Sequence, residues 1–160
     1  MTESASFIGR EAFRAAILGA FSEAGAEGWG RLVLCDPDFS QWPLGDREAV
    51  DSLTRWSGAG RRMTVLALHF DEVARRHPRW VQWRRQWAHV VECRALQEIT
   101  APDVPVLFHA PDRLSLRLFD PLRYRGVVSS LASDVLQTRE LVDAISQRSV
   151  EAFPATTLGL

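Results

Sequence analysis

The chain has 160 residues, of which 46% are hydrophobic and 24% charged, a balance typical of one globular domain. Its formal net charge of −1 and pI of about 6.4 argue against a whole-molecule field that would draw it to nucleic acid or to an anionic membrane. All 19 basic residues are arginine, which excludes Schiff-base lysines, pyridoxal phosphate attachment and the P-loop lysine.

The first half of the chain alternates helical and extended patterns. Phe13, Ile17 and Phe21 recur at the spacing of one helix face, and glycines follow them. The first predicted elements are a helix at 10–24, a strand at 31–35, and a helix capped by Asp46 and stopped by Gly58 and Gly60. A strand at 63–68, a polar segment at 71–76, a helix at 78–87 and a strand at 89–94 follow. This order predicts βαβ units and a parallel sheet.

The second half has a different pattern. A Pro-Asp-Arg turn between two apolar runs predicts an antiparallel hairpin with strands at 104–110 and 114–119. A short strand at 124–129 and an amphipathic helix at 132–147 complete the expected domain, which spans residues 9–148. Residues 1–8 are expected to be flexible, and residues 149–160 to pack on the domain as an irregular tail or to fray.

Two sequence patterns bear on the cellular compartment expected for the protein, namely long apolar runs and secretory signals. No apolar run approaches the ~20 residues that span a bilayer. The polar start of the chain, residues 1–6, has no secretory-signal pattern, so we expect a cytoplasmic protein without membrane contact. Cys35 and Cys93 lie in apolar runs and are expected to be buried free thiols.

Ligands of open α/β sheets bind beyond the carboxyl ends of the parallel strands. The loops at that edge supply six candidate side chains, namely Asp36, Asp38, Ser40, His69, Asp71 and Glu98. Asp36-Pro37-Asp38 after a buried strand resembles the first motif of haloacid-dehalogenase-type phosphatases, which implies a nucleophilic first Asp, an acid/base second Asp and magnesium between them. The same tripeptide also forms turns and enters helices, and no second acidic pair follows a strand.

The histidines and tryptophans have structural as well as functional interpretations. None of the four histidines has the spacing of a metal site, so we expect no metal and no cofactor. Trp80, Trp83 and Trp87 share one helix face bordered by Arg84. Burial of this face in the core is favoured, while its exposure would mark a partner surface or a site for stacking nucleic-acid bases.

Taken in order, these features resemble a family of bacterial phospholipase D-like domains of unassigned function that lack the catalytic motif. The resemblance runs from about residue 10 to the end of the chain. It is carried by the first strand into Asp36, Gly60-Arg61-Arg62, the strand end at Arg94, the hairpin through Arg117, Tyr124-Arg125-Gly126, and the final helix through Ser149 to Leu160. It implies a single three-layer α/β domain with helices on both faces of a mixed sheet, parallel in its first half and with an antiparallel hairpin in its second.

Active phospholipase D-like enzymes carry His-x-Lys-x₄-Asp, with histidine as the nucleophile and lysine on the phosphate. From His109 the lysine and Asp positions hold Pro111 and Leu116, and no other histidine matches better. The resemblance therefore implies a non-catalytic binding or assembly domain, with a homodimer or a small anionic ligand as partner and nucleic acid disfavoured. The residues expected to bind the ligand are Arg61, Arg62, Arg94, Arg117 and His109, with Asp36 and Asp38 as the catalytic alternative.

Overall fold

A computed structural model describes residues 3–154 of the chain. The helices are α1 (Arg10–Glu27), α2 (Arg47–Trp56), α3 (Asp71–Arg76), α4 (Pro78–Gln86) and α5 (Ala132–Ser146). The strands are β1 (Ser4–Ile8), β2 (Arg31–Cys35), β3 (Arg62–Ala67), β4 (Val91–Leu96), β5 (Val106–Ala110), β6 (Leu114–Asp120), β7 (Arg125–Ser129) and β8 (Ser149–Glu151).

The described strands form one mixed sheet in the order β1-β7-β6-β5-β2-β3-β4-β8. Strands β2, β3 and β4 run parallel to one another. Every other neighbouring pair is antiparallel. The carboxyl ends of the parallel strands therefore share an edge with the β6–β7 turn, while the β5–β6 turn lies at the opposite edge.

Helices cover both faces of the sheet, which confirms the predicted three-layer architecture. The larger core packs α1, α2 and α4 against one face, with Phe13, Trp56 and Phe108 among its fully buried members. The smaller core packs α5 against the other face through Val142 and Ile145. Because alternate strand residues point to opposite faces, each central strand contributes to both cores.

The tryptophan helix belongs mainly to the larger core. Trp80 and Trp83 are 0% and 3% exposed, and Trp87 is half-buried. The favoured interpretation of a buried face is confirmed for the first two rings. The predicted burial of the free thiols Cys35 and Cys93 is also confirmed.

The ends of the domain differ from the sequence-based expectation. Residues 4–8, expected to be flexible, form edge strand β1, which pairs with β7 about 120 residues later in the chain. Such long-range pairing leaves no local signal in the sequence. At the other end, Ser149–Glu151 form β8 against β4, and residues 155–160 of the predicted tail lie outside the described residues.

Two local predictions also need correction. Residues 71–76, predicted only as a polar segment without an assigned secondary structure, form the short helix α3, in which Glu72 pairs with Arg75 and Arg76 at 2.7 and 2.6 Å. Asp46 occupies the N-cap position of α2, but its side chain makes no capping hydrogen bond. Its carboxylate instead pairs with Arg14 of α1 at 3.1 Å. No helix in the part of the chain described here is long and apolar enough to cross a membrane.

Candidate functional site

Three of the five predicted ligand residues, Arg61, Arg62 and Arg94, do not converge on one cleft. Arg61 precedes β3 and donates from Nε to the carbonyl oxygen of Trp56 at 2.9 Å. Arg62 begins β3, at the amino ends of the parallel strands. Arg94 lies towards the other end of β4, where its Nε donates to Ser149 Oγ at 2.7 Å. The structure does not bring these three guanidinium groups together.

The other two predicted residues, His109 and Arg117, lie side by side on the sheet face that α5 covers. His109 of β5 is paired with Ser115 of β6, and Leu107 of β5 is paired with Arg117. Since side chains alternate along a strand, His109, Ser115 and Arg117 point to the same face. Diagonal neighbours of this kind lie about 7–8 Å apart, within reach of long side chains.

Arg117 presents a guanidinium group without a partner among residues 3–154. The residue is half-buried, and its buried Nε makes no hydrogen bond. Burial lowers the pKa of Arg117, which marks an environment that disfavours its charge. The exposed Phe119 ring lies on the same strand face, 5.0 Å from the guanidinium carbon, and holds that group by a cation–π contact.

A groove of about 190 Å³ lies beside Arg117, between α5 and strands β6 and β7. The hydroxyls of Ser129 and Thr138 line it together with the carboxylate of Asp134. Ser129 donates to Asp134 Oδ2 at 2.6 Å, and Thr138 donates to the Asp134 backbone carbonyl at 3.0 Å. No ion pair joins Asp134 to Arg117 within the described range, so the arginine charge is not neutralised by the protein there.

His109 lies deeper on the same face. It is 1% exposed, and neither ring nitrogen has a hydrogen-bond partner in the described part of the chain. Burial, with a smaller contribution from nearby Arg31, lowers the pKa of His109 to about 4. The ring is therefore neutral at pH 7, and it lines a second opening of about 230 Å³ with charged residues at its rim, namely Arg31, Arg139, Asp112 and Asp143.

The catalytic alternative places Asp36 and Asp38 at the carboxyl end of β2, as predicted. Asp36 Oδ2 accepts the backbone N–H groups of Asp38 and Phe39 at 2.9 and 2.7 Å, and Oδ1 accepts Trp42 Nε1–H at 3.1 Å. Asp38 Oδ1 accepts the Ser40 N–H at 2.9 Å. Both carboxylates thus stabilise their own turn, an arrangement typical of Asp in such loops.

The electrostatics of Asp36 agree with a structural role. Burial raises the pKa of Asp36, and its hydrogen bonds oppose the shift. Among residues 3–154, no group of three or more His, Cys, Asp or Glu side chains has the geometry to hold a metal ion. His69, Asp71 and Glu98, the other charged or titratable candidates at this edge, are exposed to solvent.

Sequence reasoning did not find Phe119, Ser129 or Thr138. The spacing of Arg117 and Phe119, two residues apart in a strand, is a local signal that could have placed both on one face. Ser129 and Thr138 come from a separate strand and helix, so only the tertiary structure brings them to the groove.

No protein-family model and no curated protein sequence matches the chain. Solved structures do match its fold. NucT from Helicobacter pylori aligns with a TM-score of 0.61 and 7% identity over 95% of this chain and 100% of that one. Nuc from Salmonella typhimurium, a phospholipase D family member, aligns with a TM-score of 0.58 and 9% identity over 94% of this chain and 99% of that one.

A further match is an archaeal chromatin protein. The structure of TrmBL2, an archaeal chromatin protein described as showing a novel mode of DNA binding, aligns with a TM-score of 0.63 and 14% identity. The alignment covers 93% of this chain but only 54% of the archaeal protein, so this chain spans about half of that relative's length. At such low sequence identities, these structural matches establish only the fold. The chain is a single α/β domain with a phospholipase D-like fold.

Proposed function

We propose that this chain is a non-catalytic binding domain whose ligand carries a phosphate or carboxylate group recognised by Arg117. The observation that carries the proposal is the half-buried, unpaired guanidinium in a groove lined by hydroxyls. A guanidinium group matches both anions through several N–H donors in a fixed plane. The exposed Phe119 ring beside it offers a surface for an apolar or planar part of the ligand.

The free-energy cost of burying Arg117 Nε without a partner supports an anion beside this arginine. A polar group that is buried without a partner costs about 1–3 kcal/mol, and more when it is charged. An anion that accepts from Arg117 Nε would recover that cost.

The residues around the groove lack an activated nucleophile. The chain contains no lysine, so the phosphate-stabilising lysine of phospholipase D-like enzymes has no counterpart. Ser115 lies opposite His109, but the ring nitrogens of His109 accept no hydrogen bond from it. A serine needs such a bond to a base to act as a nucleophile. These features support binding without turnover.

A nucleic-acid ligand has weaker support. The DNA-binding archaeal neighbour shares only the fold with this chain. Trp80 and Trp83, the rings considered for base stacking, are buried in the core. The net charge of −1 supplies no general attraction to a polyanion.

Calorimetric titration with inorganic phosphate, at constant ionic strength, tests the binding proposal. We expect Arg117→Gln to bind at least about tenfold more weakly than the wild type, because one charge-assisted hydrogen bond contributes about 1.5–3 kcal/mol. Arg113→Gln is the matched control, since Arg113 is exposed in the neighbouring β5–β6 turn. Equal affinities in the two variants, or no binding by the wild type, would contradict the proposal.

Hydrolysis assays test the absence of catalysis. Generic phosphate monoesters and diesters are incubated with the protein in magnesium, manganese or chelator, beside an Asp36→Asn variant. We expect no turnover under any condition. Metal-dependent hydrolysis that is lost in Asp36→Asn would instead establish the phosphatase alternative.

A further inference from the structure

Arg84 is a buried cation on the opposite side of the sheet from the Arg117 groove. It lies on α4 and is only 5% exposed. Its Nη2 donates to the carbonyl oxygen of Phe153 at 2.9 Å, and its guanidinium carbon lies 6.0 Å from the centre of the Phe153 ring. Its Nε and Nη1 have no oxygen or nitrogen acceptor in the range the structure describes, and the guanidinium lies within hydrogen-bonding reach of the Cys93 thiol.

The nearby side chains do not neutralise Arg84. No ion pair involves this arginine among residues 3–154. Cys93 lies beside it, but burial raises the pKa of that thiol to about 11 despite the lowering effect of Arg84, so Cys93 is neutral at pH 7. Glu92 pairs with Arg94 at 2.9 Å. A buried charge that lacks a counterion is rare in proteins because its desolvation is costly.

A cleft of about 580 Å³ opens next to Arg84 at the outer edge of β4. Strand β8 pairs with residues 94–96 of β4, and the Ala152 N–H donates to the Cys93 carbonyl at 3.0 Å, so the first residues of β4 border the cleft. Four further charged or titratable residues line it, namely Arg62, His89, Glu92 and Glu151. The cleft is large enough for a small organic molecule, since ligand pockets measure about 300–1,000 Å³.

We propose that this cleft is a second anion site, in which Arg84 binds the carboxylate group of a small organic monoanion. One carboxylate balances the charge of one guanidinium and can accept a charge-assisted hydrogen bond from one of its free N–H groups. A dianion fits less well, because Glu92 and Glu151 line the same cleft and would repel the second charge. The proposal does not depend on Arg117, because the two arginines lie on different faces of the sheet.

Titration with acetate and benzoate, followed by the NMR signal of the Arg84 Nε–H group, tests this site. The signal is assigned by its absence in Arg84→Gln. We expect a saturable shift with either carboxylate, a smaller effect from phosphate, and the same shift in Arg117→Gln. In thermal-unfolding assays we expect acetate to stabilise the wild type and Arg85→Gln, the control at the adjacent exposed position of α4, and to stabilise Arg84→Gln less, because that variant keeps only the Arg117 groove.

An Arg84 signal that does not move with acetate or benzoate would overturn the proposal, and this measurement needs only the wild-type fold. A shift lost in Arg117→Gln would also overturn it, because the anion would then be acting from the other face. If Arg84→Gln does not fold, the Arg84 signal is assigned from the conservative Arg84→Lys variant instead.

Discussion

Arg117 and His109 lie diagonally across strands β5 and β6 on one sheet face, and neither Arg117 Nε nor either nitrogen of His109 has a partner in the described part of the chain. The strand pairing fixes this relationship, because Leu107 is opposite Arg117 and Ser115 is opposite His109. Buried polar groups are almost always hydrogen-bonded, so unpaired nitrogens in two neighbouring openings on one sheet face indicate places prepared for a ligand or ordered water.

The buried histidine predicts acid sensitivity. The pKa of His109 is lowered from 6.5 to about 4, so the unfolded chain takes up this proton first as the pH falls. Its contribution to stability is complete above pH 6.5 and is lost between pH 6.5 and about 4, amounting to about 3 kcal/mol. Urea unfolding measured from pH 7 to pH 4 should show this loss in the wild type.

Variants separate His109 from the other titrating groups. The titration of Asp36 changes stability in the opposite direction from that of His109. Because the pKa of Asp36 is raised in the folded protein, its contribution to stability is largest at low pH. The comparison is therefore made with His109→Leu, which should lose stability less steeply below pH 6.5. His89→Leu, which removes a histidine at an exposed position, is the control substitution. Identical slopes in wild type and His109→Leu would show that His109 titrates normally.

The close packing of β7 against the backbone of Arg117 predicts that Gly126 cannot be replaced. A Cβ at Gly126 would meet the carbonyl oxygen of Arg117 and come within 2.6 Å of the Phe7 ring. Gly126→Ala should lower the free energy of unfolding by about 3 kcal/mol or more. Chemical denaturation measures the change.

Gly19→Ala is the control for that substitution. Gly19 lies in α1, and no atom lies within 4 Å of an added Cβ apart from its own helix and chain neighbours. The change should raise the free energy of unfolding by about 0.5–1 kcal/mol, because alanine is the better helix former. A mild effect of Gly126→Ala would mean that β6 and β7 are less closely packed than described.

The turn at Asp36 predicts a structural rather than a catalytic phenotype. In Asp36→Asn the amide oxygen can keep the two backbone bonds, but its NH₂ group then faces Trp42 Nε1–H. We expect a loss of about 1–2 kcal/mol of unfolding free energy with unchanged anion affinity. Asp51→Asn, on the exposed face of α2, should change stability by less than about 0.5 kcal/mol. A folded Asp36→Asn protein that no longer binds anions would place the ligand at this edge instead.

The regular elements were predictable because their signals are local. The helical spacing of Phe13, Ile17 and Phe21 predicted α1, and short apolar runs between helices predicted the parallel strands β2 and β3. The Pro-Asp-Arg turn gave the β5–β6 hairpin. Strands β1 and β8 were not found, because each is short, exposed and paired with a strand distant in sequence.

The candidate site was only partly predictable. Arg117 and His109 were both predicted as ligand residues. The sequence could not show that these two share a sheet face while Arg61, Arg62 and Arg94 lie elsewhere, because the face on which a residue lies depends on strand register. The absence of charge partners at Arg117 and Arg84 is likewise a tertiary property. The predicted homodimer remains a prediction, which light scattering on the purified protein would check.

One NMR titration tests most directly whether the domain binds an anion at Arg117 without reacting with it. The Arg117 Nε–H signal, assigned from its loss in Arg117→Gln, is followed while p-nitrophenyl phosphate is added, and released nitrophenolate is measured by absorbance in the same sample. We predict a saturable shift of that signal and no release of nitrophenolate. An unchanged signal, or protein-dependent release of nitrophenolate, would contradict the account.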